Sequence, residues 1–119
     1  VWTKKPIRDF IYVEDAVDAV LKLIETDFSG PVNLGMGSGS SVKELCDHLE
    51  NISGFRIQDQ NISVPGHMEF FQDISLLKSL INWEPKYTLK QGLLKTYRTM
   101  EQYYKEDKVR HRLKNFNEK

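Results

Sequence analysis

The sequence predicts an α/β fold, rich in helix with a few short strands, and two observations predict it. Apolar residues recur at helical spacing in four stretches set off by Gly, Pro or Ser turns, while the aromatic and β-branched runs between them are brief. At 119 residues and 39% hydrophobic, the chain suffices for one domain with a modest core.

Arg8 to Val13 carries the aromatic and β-branched residues of a short strand. Val13, Ala16, Val17, Val20, Leu21 and Ile24 then recur on one helical face, predicting a helix over about 14–26 that Ser29, Gly30 and Pro31 bring to a turn. Val32 to Leu34 reads as a brief buried strand, followed by the glycine-rich stretch 35–39. Ser41 and Glu44 have capping-box spacing, in which each side chain satisfies a free N–H at a helix start. Val42, Leu45, Leu49 and Ile52 line that helix until Gly54. Residues 55–63 suggest a half-buried strand closed by Pro65-Gly66, and Asp73 or Ser75 caps a short helix through Ile81. Thr88 with Gln91 forms a second capping box, opening a helix whose stripe is Leu93, Leu94, Tyr97, Met100 and Tyr104. Charge takes over beyond Lys105, as in a solvated end.

Seventeen basic residues balance seventeen acidic ones, so no net field draws the chain to nucleic acid or to a charged membrane. Lone Cys46 cannot form an internal disulfide, and no apolar run approaches the roughly 20 residues that span a bilayer. A cytoplasmic protein is expected, and a start at Val1 in place of Met points to a longer parent.

Taken in order, RDFIYVEDAVDAV (8–20), PVNLGMGSGSSVKEL (31–45), a Pro-Gly turn and DISLLKSLINWEPKYTLKQGL (73–93) resemble the second half of the extended short-chain dehydrogenases. That family includes NAD(P)-dependent nucleotide-sugar epimerases, 4,6-dehydratases and reductive epimerases. Arg8-Asp9-Phe10 with Val13 and Asp15, and Asn82-Trp83-Glu84-Pro85 against the family's Gly-Trp-x-Pro, are the most specific parts. The resemblance implies the C-terminal lobe of an extended Rossmann-type short-chain dehydrogenase over 1–104, with 105–119 a charged tail. It implies further that NAD or NADP and the catalytic Tyr-x-x-x-Lys belong to an N-terminal Rossmann half preceding Val1.

The resemblance assigns substrate binding to Arg8 and Trp2. Arg8 matches the arginine that contacts the substrate pyrophosphate, a role suited to a planar guanidinium; its competing role is an ion pair with Asp9, Glu14 or Asp15. Trp2 falls where the family's chain runs past the nucleotide base, and its indole can stack there or simply pack at an edge. Val64 stands where many relatives have a second phosphate-binding arginine, which leaves open whether Arg56 or His67 compensates, and His67 reads first as an ordinary turn histidine. Asp15 is expected to be structural, capping a helix or bonding the backbone.

Other motifs point to no chemistry. Glycines 35, 37 and 39 lack G-x-G-x-x-G spacing, since Ser40 stands at the last position, so they read as a turn. Tyr104 and Lys108 form a chance Tyr-x-x-x-Lys in the tail, and 108–114 is a solvated basic stretch. His48, His67 and His111 are too scattered for a metal site, and Cys46 lies on an apolar helix face as a buried thiol.

The expected function is the substrate-binding portion of a nucleotide-sugar epimerase or dehydratase, inactive alone and homodimeric in the whole protein. The alternatives are a GDP-sugar reductive epimerase within the family, or a non-catalytic interaction module built on the same fragment. Alone, the chain should leave the Val32–Leu34 strand unpaired and apolar helix faces exposed, so that it is expected to be marginal, to self-associate, or to be a remnant of proteolysis.

Overall fold

A computed structural model describes residues 1–63 and 65–105. The elements run β1 (Ile7–Arg8), α1 (Val13–Ile24), β2 (Ser40–Ser41), α2 (Val42–Ser53), β3 (Glu69–Phe70), α3 (Ser75–Ile81) and α4 (Leu89–Lys105). The three strands form one sheet in the order β2-β1-β3. β1 pairs antiparallel with β2, Ile7 opposite Ser41, and parallel with β3, Ile7 opposite Glu69.

Helix starts follow the capping chemistry of the sequence. Ser41 Oγ accepts the Glu44 N–H at 3.0 Å at the head of α2, and Gly54 ends that helix at φ +75°. Both arms of the second box are present: Gln91 N–H donates to Thr88 Oγ1 at 3.3 Å, and Thr88 N–H to Gln91 Oε1 at 2.9 Å. Asp73 Oδ1 accepts from the Ser75 N–H at 2.9 Å just ahead of α3. α3 stops at Asn82, in the left-handed region at φ +45°, where the family motif has glycine. Asparagine is among the few residues with a side chain that visit this region readily.

α1 packs on α3 and α2 on α4. Ala19, Ile74, Leu77 and Trp83 form the buried core, with Ile11, Leu23, Val32, Leu34 and Ile81 packed around it. Trp83 is only 1% exposed, and its Nε1 donates to Asp18 Oδ2 at 3.0 Å, so burying the indole leaves no orphan donor. Burial alone would raise the Asp18 carboxyl, but bonds from Lys22 and Lys86 outweigh it and hold the group below its ordinary value. Gly92 is buried on α4 because Tyr12 lies across it: an added Cβ would come within 3.0 Å of Tyr12 Cβ.

Three strand expectations need correction. The strand expected over Arg8–Val13 is β1 alone: the chain leaves the sheet at Asp9, whose side chain turns to another loop, and Val13 already begins α1. Val32–Leu34 forms no strand, because no described strand lies beside it to complete a ladder; its apolar side chains pack on the core. Residues 55–63 form none either. Gln60 and Ile62 N–H groups do donate to the Val1 and Trp2 carbonyls, at 3.0 and 2.8 Å, but Asn61 at φ +52° breaks the extended run. Phe55 is 73% exposed instead of half-buried.

The second expectation about isolated α faces stands in the structure. Val13, Val17, Val20, Leu21 and Ile24 form a stripe along α1, and all are exposed. No described helix is long and apolar enough to cross a membrane.

Candidate functional site

Trp2 and Arg8 meet. With Val1, Thr3, Pro6 and Val42 they line one shallow concavity of about 390 Å³. Pro6 is buried, and its carbonyl accepts the Val42 N–H at 2.8 Å, which fixes the floor between the strand and the start of α2. The indole is 65% exposed, free to meet a flat partner.

Arg8 is half-buried, and its Nη1 donates to the Ile7 carbonyl at 2.7 Å and to the Met68 carbonyl at 3.3 Å. Those bonds orient the guanidinium through neutral acceptors and leave its charge unmatched: among the described residues it pairs with none of Asp9, Glu14 or Asp15. A guanidinium offers five N–H donors in a fork, so the remaining donors can meet an anion in the concavity. Arg56 and His67 are exposed, and Val64 lies outside the described residues.

The two aspartates near Arg8 in sequence serve the backbone. Asp15 is 1% exposed and accepts two N–H groups, Lys86 to Oδ1 and Tyr87 to Oδ2, each at 3.0 Å. It therefore pins the segment leading into α4 onto α1, a structural role of the backbone-bonding kind. Asp9 Oδ1 accepts the Met36 N–H at 2.7 Å, and its Oδ2 accepts from Gly37 at 3.3 Å and Gln72 at 3.1 Å. The glycine stretch thus already holds a carboxylate on its amides, and the described residues do not fit a dinucleotide pyrophosphate there. Gly35 needs to be glycine for the same reason, since a Cβ would collide with Asp9 Oδ2.

One cluster has no counterpart in the sequence patterns. Glu14 accepts from the Tyr12 hydroxyl at 3.2 Å, the Tyr87 hydroxyl at 3.0 Å and Lys95 Nζ at 3.3 Å. The two rings meet edge-on at 4.9 Å, and Lys95 Nζ sits 4.8 Å from the Tyr87 centroid. Desolvation and the bond to Glu14 push the Tyr12 hydroxyl above its ordinary value, and the Tyr87 bond, with that to Glu14, does the same for Lys95. Both shifts move away from neutrality, so neither group is poised as a base and the cluster works as a clasp between α1 and α4. Tyr87 and Lys95 are 73 and 81 residues from Glu14 in sequence, a pairing no local spacing announces.

Cys46 is fully buried on α2. No described group of three or more His, Cys, Asp or Glu residues could hold a metal, and His111, Lys108 and the basic stretch lie outside the described residues.

No family model matches the chain. It is 35% identical over 103 residues to a probable GDP-L-fucose synthase 1 of Oryza sativa subsp. japonica, covering 82% of this chain and 31% of that protein. It is 28% identical over 104 residues to a GDP-mannose 3,5-epimerase of Arabidopsis thaliana, covering 87% and 28% respectively. Its fold matches the crystal structure of a Bacillus cereus UDP-glucuronic acid 4-epimerase in complex with UDP-glucuronic acid and NAD. There the TM-score is 0.73 at 28% identity, with 85% of this chain and 34% of that one covered. The chain belongs to the NAD(P)-dependent epimerase/dehydratase family. It spans about a third of the length of the epimerase/dehydratase relatives it matches. Among the described residues that fraction is α/β, four helices and short strands, as the sequence predicts.

Proposed function

We propose that this chain is the substrate-binding portion of an NAD(P)-dependent nucleotide-sugar epimerase or dehydratase, with Arg8 holding the diphosphate and Trp2 facing the base. The observation that carries this reading is the shared concavity, which sets on one apolar floor an exposed indole and a guanidinium that no carboxylate among the described residues matches. Such remote contacts position a sugar for reaction without touching the reacting carbon. Residues 1–104 make up this portion in the proposal, with 105–119 a tail. The cofactor, NAD or NADP, and the catalytic groups sit on a Rossmann half. The exposed α1 stripe supports that arrangement, because a contiguous apolar helix face is one that a neighbouring domain covers. The whole protein would be a cytoplasmic homodimer.

Within the family, the likeness to a GDP-L-fucose synthase and Val64 at the second-arginine position favour a GDP-sugar reductive epimerase. The same α1 stripe would equally serve a non-catalytic interaction module. Calorimetric titration with GDP and UDP separates these readings. The substrate reading expects one of them to bind, to weaken about tenfold or more in Arg8→Ala, and to weaken less in Trp2→Ala. A chain that binds neither nucleotide but self-associates through α1 supports the module.

A further inference from the structure

Asp9 follows Arg8 directly yet faces elsewhere. Arg8 lines the concavity shared with Trp2, while Asp9 lines a separate cavity with Phe10, Tyr12 and α4, as alternation along an extended chain requires. Its carboxylate is where three segments meet: the end of β1, the glycine stretch leading into β2, and Gln72, two residues past β3. The strands themselves are two residues each, so their own ladders hold little register. β3 matters to Arg8 because the guanidinium rests on the Met68 carbonyl immediately before it.

We infer that Asp9 is a positioning residue for the Arg8 contact, an inference that rests on reading Arg8 and Trp2 as a nucleoside-diphosphate site. An anion aimed at a diphosphate would repel it, so Asp9 does not meet the ligand. It ties both neighbours of β1 to β1 and so fixes where the Met68 carbonyl, and with it the guanidinium, stands. Gly35 belongs to the same device, since any side chain there displaces the carboxylate.

The test uses the 119-residue chain titrated with GDP and UDP at two ionic strengths, with amide exchange followed in parallel. Asp9→Asn replaces an acceptor by a donor facing N–H groups. It is expected to weaken the better-bound nucleotide about tenfold, to speed exchange at Met36, Gly37 and Gln72, and to keep the salt dependence of wild type. Arg8→Ala loses that salt dependence along with binding. Gly35→Ala presses on the same carboxylate from the loop and carries the test should Asp9→Asn not fold. Thr88→Ala removes the α4 cap and controls for destabilisation alone: it lowers the melting temperature and leaves affinity in place. Wild-type affinity in Asp9→Asn or Gly35→Ala, or a loss no greater than in Thr88→Ala, overturns the positioning role and leaves the Arg8 site standing. Absence of nucleotide binding in wild type removes the site and the positioning role together.

Discussion

The region around Trp83 and the region around Arg8 are held by different forces. In the first, Ala19, Leu77 and Trp83 are essentially shut off from water, and Ile74 is 5% exposed. In the second, Phe55, Ile62, Met68, Phe70 and Phe71 all remain exposed, and order comes from two-residue strands, backbone bonds to Val1 and Trp2, and carboxylates on loop amides. Apolar burial is non-directional and resists substitution only through packing, whereas backbone and carboxylate bonds are directional and set register. A protein that needs a guanidinium at a defined place gains from the second kind of order next to it, with the first kind as its anchor.

The largest test of that contrast is deletion of an aromatic on each side. Trp83→Ala should cost about 3–5 kcal/mol, since it removes the largest buried side chain together with its hydrogen bond to Asp18. Phe55→Ala, at 73% exposure, should change stability by less than about 0.5 kcal/mol. Urea unfolding followed by far-ultraviolet circular dichroism measures both. Equal losses would mean that the strand region has an apolar core of its own.

A middle-sized effect is expected at Asn82, which ends α3 beside Trp83. Asn82→Ala forces a β-carbon with no compensating amide into the left-handed region and should cost about 1 kcal/mol. Asn82→Gly removes the strain and should be neutral or slightly stabilising. If alanine proves as stable as asparagine, the left-handed cap is not what ends α3.

What the sequence reveals follows the same division. Helices and their caps are legible because their signals lie within four residues of one another: Ser41 with Glu44, Thr88 with Gln91. Resemblance alone singles out Arg8 and Trp2 as the proposed site, and their shared concavity appears only in three dimensions. Asp9's bonds to residues 27, 28 and 63 positions away, and Glu14's to Tyr87 and Lys95, leave no local trace. Strand assignments fail for a related reason, because β-propensity says that a segment can pair and not whether a partner is there. Val32–Leu34 is the clear instance.

The smallest effect expected is in acid, and it distinguishes the two regions by their glutamates. Glu50 lies on α2 beside the strand region, where its Oε1 accepts the Ile57 N–H at 2.9 Å and Lys4 Nζ at 3.3 Å. The Ile57 bond first, then Lys4, holds its carboxyl below the ordinary value of 4.5. Glu14, in the clasp between α1 and α4, is lowered by the Tyr87 bond and then by Lys95. A carboxyl depressed in the folded state adds stability above its unfolded pKa and loses that contribution as pH falls through its folded pKa. Both contributions are therefore intact near neutrality and fade below about pH 4.5. Glu14 is 53% exposed and Glu50 only 26%, so solvent screens the clasp more. Acid should accordingly weaken the bond at the Ile57 amide more than it weakens the clasp between α1 and α4, as read by amide exchange across that window. Glu50→Gln should flatten the acid slope at Ile57 while leaving the slope at Tyr87 unchanged. Parallel slopes in wild type and Glu50→Gln would show that the strand region is held by something other than this charge.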